Sequence, residues 1–180
     1  MTSILPVSHP RRVLLRFVAL ALVLMALYFA ASSTEAYRVA VSQPYLRWTA
    51  SATGALLRLL SVDGAAARGG LVYAGGFALR VDRGCDASTE CAVFAALIIA
   101  FPAAFVRKLV AIPSGVAVLV ALNIFRVASL VLAGAYTPAL FEWLHVEFWQ
   151  VAFILLAVGL WAAWLPWAIR SSPAVSGLAG

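Results

Sequence analysis

Three side chains in this sequence have the types that together perform acyl transfer: Cys85, Arg126 and His145. Cys85 follows Gly84 and precedes Asp86, in a polar stretch rather than in the apolar run where a free cysteine is an inert small hydrophobe. At a helix start beside a cation a thiol acidifies, and its thiolate becomes a nucleophile. Arg126 stands inside an apolar run, with Ala-Leu-Asn-Ile-Phe before it and Val-Ala-Ser-Leu-Val-Leu after it. A charge in such a run is expensive and marks a functional position by default. It lies ~12 Å of helix short of Gly134 at about 1.5 Å per residue, which limits snorkelling. Asn123 precedes it by one helical turn, so a polar stripe of Asn123 and Arg126 points into the bundle. His145 sits between Trp143 and Trp149, either as a member of an interfacial aromatic belt or as a general acid and base. Cys91 lies inside an apolar run and reads as structural.

The elements that must position these groups are membrane-spanning. Of the 180 residues, 64% are hydrophobic and 11% are charged, and the mean hydropathy is +1.00. A soluble domain carries about a quarter charged residues. Too few charges are present to coat a water-facing surface, so the composition excludes a soluble enzyme, a disordered chain and a collagen-like fibre. It implies one membrane domain over 1–180. The net charge of +6 comes from bases scattered around apolar runs, all of them Arg except Lys108. That pattern fits membrane borders and anionic lipid headgroups; no nucleic acid is expected.

Four stretches approach the ~20 residues needed to cross ~30 Å of hydrocarbon: 13–31, 88–106, 112–134 and 146–169. The apolar length of the first, ~19 residues, exceeds the 7–15 typical of a signal peptide and favours an uncleaved anchor, with Ala30-Ala31-Ser32 as the alternative cleavage site. Arg11, Arg12 and Arg16 precede the first stretch, Arg107 and Lys108 are expected in a tight turn between the second and third, and Arg170 follows the fourth. One topology places all six in the cytoplasm, and the loop 135–145 opposite them holds no Lys or Arg. The segment 32–87 then lies outside with six arginines, at 38, 47, 58, 68, 80 and 83, against the trend. Within it, residues 38–61 predict a helix on the outer interface. Leu71–Ala74 and Phe77–Val81 flank Gly75-Gly76 and predict a β-hairpin. Pro113 is expected in the first turn of the third stretch, Pro102 at a kink within the second, and Pro138 in the outer loop. The expected fold is therefore an all-α integral membrane protein of about four transmembrane helices, with an outer interfacial helix and a short β-hairpin.

This topology brings the three polar residues to one level. Cys85 and His145 enter the membrane from outside. Arg126 is roughly 21 Å from the inner end of its stretch, at about 1.5 Å per residue, in the outer half. The thiolate attacks a peptide carbonyl, the guanidinium steadies the thiolate or the oxyanion, and the imidazole shuttles protons.

These residues also carry a resemblance. Gly84-Cys85, Phe101-Pro102 with Arg107, Asn123-x-x-Arg126 and Phe141-x-x-x-His145 together resemble the exosortase/archaeosortase family over about residues 70–165. The short chain is most similar to compact, exosortase H-type members. The resemblance implies a prokaryotic cysteine transpeptidase in the plasma (inner) membrane, with its site at the extracytoplasmic face. Its partners would be exported proteins ending in a short motif, one transmembrane helix and a basic cluster, together with membrane lipid. Such enzymes cut before the helix and pass the acyl group to a surface acceptor. The resemblance assigns the nucleophile to Cys85 and the two basic residues to Arg126 and His145, with Asn123 in support. The family often has Asn-Gly after the cysteine, where Asp86-Ala87 stand here. A carboxylate there raises the thiol pKa unless it pairs with a cation, for which Arg83 is the candidate.

Two other classes compete. A thiol oxidoreductase would use Cys85 and Cys91 together. If residues 85–91 are helical, the two rise ~9 Å apart, beyond the ~7 Å a disulfide tolerates, so two free thiols are expected. A non-catalytic assembly or transport protein would use the polar stripe to bind a partner helix. No cofactor is expected. No metal site is expected either, because His9 and His145 fall on opposite sides of the membrane and neither has an acidic cluster.

Overall fold

The computed structural model describes residues 10–169. The expectations for His9 and Arg170 lie outside the described residues. Helix α1 (Pro10–Ser32) is followed by a single turn, α2 (Glu35–Tyr37), a π-helical turn (Arg38–Ser42) and α3 (Gln43–Leu59). Three short strands come next, β1 (Ala66–Arg68), β2 (Leu71–Ala74) and β3 (Phe77–Arg80). The chain then forms α4 (Ser88–Ala100), α5 (Phe105–Tyr136), α6 (Pro138–Trp143), a second π-helical turn (Leu144–Phe148) and α7 (Trp149–Ile169).

Among the described residues three helical runs are long and apolar enough to cross a membrane: Arg11–Ser32, Phe105–Tyr136 and Pro138–Ile169. The fourth expected span falls short of that length. Its helix α4 has 13 residues, or ~20 Å at about 1.5 Å per residue. Pro102 does not kink it; the helix has already ended at Ala100, and Phe101 is extended, as the residue before a proline prefers to be. Arg107 and Lys108 accordingly lie in the first turn of α5 rather than in a tight turn between helices. Lys108 Nζ donates to the Ile99 carbonyl oxygen at 2.6 Å, so a cation caps the end of α4. The early start of α5 also moves Pro113 from the first turn into the helix interior. Beside it Ser114 Oγ donates to the carbonyls of Val110 and Ala111, at 2.7 and 3.1 Å. The outer loop expected at 135–145 shrinks to Thr137, because Pro138 opens α6 and the helical run continues into α7.

The expected hairpin forms, with one strand more than its pattern shows. β2 pairs antiparallel with β3 across Gly75-Gly76, and β1 pairs with β2 in the register Ala66↔Tyr73. Ala66-Ala67-Arg68 has no β-branched or aromatic residue, so the added strand depends on its partner rather than on its own propensity. Helix α3 packs on β1, β2 and α5, burying Thr49, Ala50, Thr53, Gly54 and Leu57 while Trp48 faces outward.

Helix α4 is central: it packs against α1, α5 and α7. It meets α5 at Gly115, where an added Cβ would lie 2.2 Å from the Phe94 ring. Phe94, Ile98, Leu119, Leu130 and Phe153 fill the core between these helices. A second cluster, with Leu57, Val72, Val81, Val127 and Val131, joins the sheet and α3 to one end of α5. The apolar side chains of α1 face outward, among them Leu14, Leu22 and Leu27 at 60% or more exposure, as expected of a helix whose solvent is lipid.

Candidate active site

The sheet ends at Arg80, and the chain turns toward α4 through Gly84, whose φ of +91° is in the region glycine enters without penalty. The amide of Cys85 donates back to the Asp82 carbonyl at 3.0 Å, closing the turn. Cys85 thus precedes α4 by a short loop rather than starting it. The helix instead starts after Ala87, which takes φ +55°. Asp86, one residue before the N-cap, braces this start: its Oδ1 accepts from the Ser88 amide at 3.3 Å and from Ser88 Oγ at 3.0 Å. Tyr28 of α1 donates to Ser88 Oγ at 3.1 Å, and Tyr45 of α3 donates to the Asp86 carbonyl at 2.9 Å. Burial pushes the Tyr45 hydroxyl up to about 12, which keeps it a donor. The segment just after the thiol is therefore held by two helices that are remote in sequence.

Cys85 Sγ lies 3.4 Å from His145 Nε2, across 60 residues of chain. His145 occupies the π-helical turn between α6 and α7, where an extra residue per turn re-aims side chains; such turns recur at functional sites. Phe141, one turn earlier, packs its ring against the imidazole at 5.6 Å between centroids and a 32° tilt, which limits where the imidazole can go. Arg126 Nη2 donates to the Gly84 carbonyl at 3.4 Å, next to the thiol. Its guanidinium lies 5.3 Å from the centre of the Phe153 ring. Ser129 Oγ donates to the Arg126 carbonyl at 2.7 Å and accepts from Trp149 Nε1 at 3.0 Å. That chain of hydrogen bonds sets α7, and so the turn carrying His145, against α5.

Cys85, Arg126 and His145 are thus brought together at one end of the bundle. Arg126 is 3% exposed, and its Nε has no hydrogen-bond partner among the described residues. Asn123, one turn away on the same helix, is fully buried, and both its amide atoms lack a partner among the described residues. Cys91 is not brought to the thiol site by any bond; both cysteines are free. Arg83 does not pair with Asp86, because its Nη1 donates to the Ser32 carbonyl at 3.0 Å. Arg107 stacks over Trp167 at 5.0 Å, at the far end of α7 from His145.

The electrostatics differ from the sequence-based expectation of an acidified thiol. Desolvation by burial raises the Cys85 thiol above its usual range, Arg126 pulls it down, and Asp86 adds to the rise. Burial outweighs the cation and favours the neutral thiol, which would need an adjacent base to take its proton and make it a nucleophile. His145 Nε2 is placed for that transfer. Beside Gly84 a cavity of about 200 Å³ opens, lined by Tyr28, Tyr37, Tyr45, Arg83, Asp86 and Ser88 among others. The residues sequence reasoning missed are those that support the loop. Asp86-x-Ser88 was legible as a helix-start signal; Tyr28, Tyr45 and Phe153 carry no local signature.

The fold and site define a multi-pass helical membrane protein with a thiol–imidazole contact beside a buried guanidinium. The chain matches the family model described as Transmembrane exosortase (Exosortase_EpsH) over residues 8–162, and it belongs to that family. The match reaches upstream of the sequence resemblance and takes in α1 and α3. No curated protein and no solved structure matches the chain.

Proposed function

We propose that the protein is a membrane-embedded cysteine transpeptidase acting on exported proteins that end in a short motif, one transmembrane helix and a basic cluster. It resides in a prokaryotic plasma (inner) membrane with its site at the extracytoplasmic face. The observation that carries this reading is the 3.4 Å contact between Cys85 Sγ and His145 Nε2. In the reaction His145 takes the thiol proton as Cys85 attacks the scissile carbonyl. The tetrahedral oxyanion needs donors, and the Cys85 amide is already bonded to Asp82. On α5, Arg126 Nε and Asn123 Nδ2 are buried donors with no protein partner among the described residues. His145 then returns the proton to the leaving amine, and the C-terminal tail departs. A thioester on Cys85 remains, and an acceptor amine or water attacks it, giving up a proton and regenerating the thiol.

The test compares cells carrying wild-type protein, Cys85→Ala or Cys91→Ser, with mass spectrometry of membrane and surface proteins. Acyl transfer predicts intact hydrophobic tails in Cys85→Ala and processed tails in Cys91→Ser. Loss in both variants would instead favour dithiol redox chemistry. Normal tails in Cys85→Ala, with the variant expressed, would leave a non-catalytic assembly protein.

A further inference from the structure

The outer segment holds six arginines against the sidedness trend, and the fold gathers four of them. Arg38, Arg47, Arg80 and Arg83 line one pocket of about 260 Å³, between the start of α3 and the turn joining β1 to β2. Asp82 is the single acid in its lining. Arg38 pairs with Glu35, and Arg83 donates to Ser32. Arg47 and Arg80 have no ion-pair or hydrogen-bond partner among the described residues. Gln43 and Ser42 add neutral polar groups, and Gly69 and Gly70, at φ +59° and +90°, leave the turn side open. Asp82 and the Arg38–Glu35 pair offset part of this charge, and the remaining excess of positive charge favours an anion in the concavity.

We propose that this pocket binds a phosphate group. Arg47 of α3 and Arg80 of β3 bring unpartnered guanidiniums to it from different elements, with Arg38 and Arg83 beside them, which suits a tetrahedral oxyanion with acceptor oxygens on every side; a single carboxylate fills only one fork. The same segment carries Val39, Val41 and Trp48, each about half exposed or more, beside Arg38 and Arg47. Apolar side chains next to cations are the pattern of a chain lying at the level of lipid headgroups. The phosphate comes either from a phospholipid headgroup or from solution. The pocket shares Ser42 and Arg83 with the cavity beside Gly84, so the two concavities adjoin on the loop that leads to Cys85. The inference rests on the charge arrangement and not on the proteolytic reading.

The test titrates detergent-solubilised full-length protein with dihexanoyl phosphatidylglycerol, inorganic phosphate and a glutamate hexapeptide. It compares wild type with Arg47→Gln/Arg80→Gln and with Arg12→Gln/Arg58→Gln, which removes equal charge outside the pocket. Arg47→Lys/Arg80→Lys keeps the charge without the forks, and melting temperatures verify folding. The pocket pair is expected to weaken phosphatidylglycerol binding about tenfold, the control pair less than about twofold, and the lysine pair by an intermediate amount. Comparable binding of inorganic phosphate assigns the site to the bare oxyanion; binding of the lipid alone assigns it to a headgroup. Equal losses in the pocket and control pairs, no binding of either phosphate probe, or tighter binding of the glutamate peptide would each overturn the proposal.

Discussion

Asn123→Ala tests whether the polar stripe of α5 is held against the stability of the bundle. Asn123 is fully buried, and neither its amide nitrogen nor its oxygen has a protein partner among the described residues. Each orphaned group costs about 1–3 kcal/mol of desolvation, so removing both returns at least ~2 kcal/mol. Alanine adds about 0.5 kcal/mol of helix propensity. The smaller side chain leaves ~25 Å³, a loss of about 0.6 kcal/mol at ~24 cal/mol per Å³. The net is a gain of ~2 kcal/mol, or a rise of about 4–8 °C in melting temperature for a chain of this size. Intrinsic fluorescence from the six tryptophans reads it in detergent. Cleavage of a tailed substrate is expected to fall at least about tenfold, because a free donor near the oxyanion is lost. A lower melting temperature would refute the reasoning, since it would show that the amide is satisfied in the folded protein. A higher melting temperature with unchanged cleavage would remove Asn123 from the site.

Asp86→Asn keeps the oxygen that braces the start of α4 but removes the charge that raises the Cys85 thiol, so alkylation at fixed pH should quicken; slower iodoacetamide labelling in a Cys91→Ser background would contradict that. Because burial raises the folded-state thiol pKa above its unfolded value, its stabilising contribution is present below the ordinary thiol range and is lost as pH rises through and beyond it. Chemical melts in a Cys91→Ser background should therefore show stability falling at alkaline pH, and less so after Cys85→Ala. Gly115→Ala should cost about 1–3 kcal/mol through its clash with Phe94. Gly159→Ala, with nothing within 4 Å of the added Cβ, should stabilise by about 0.5–1 kcal/mol; equal effects at the two sites would mean that α4 and α5 are not closely packed.

Much of the architecture was legible because lipid leaves a strong compositional trace. The long apolar runs of α1, α5 and α7 reflect the requirement that a spanning helix hide its backbone. The β2–β3 hairpin was legible from Gly75-Gly76 between β-prone residues. Helix ends were less so: the apolar run that starts at Ser88 continues past Ala100, and only the extended Phe101 before Pro102 shows where α4 stops. The third strand escaped because Ala66–Arg68 has no β preference of its own and forms by pairing with β2.

The sequence by itself determined the chemical inventory: a thiol outside an apolar run, a charge and an amide one turn apart inside one, and an imidazole at the border of another. Those are properties of residue type and local period, and they need no fold to be read. Tertiary structure alone decided which of them meet and in what state. The 3.4 Å thiol–imidazole contact spans 60 residues and depends on a π-helical turn, whose extra residue leaves no mark in the apolar pattern. The raised thiol follows from how much water the packed helices exclude, which outweighs the nearby cation. The arginine pocket likewise unites α3, the sheet and the loop after it, because burial and charge proximity are sums over neighbours that only the folded chain brings together.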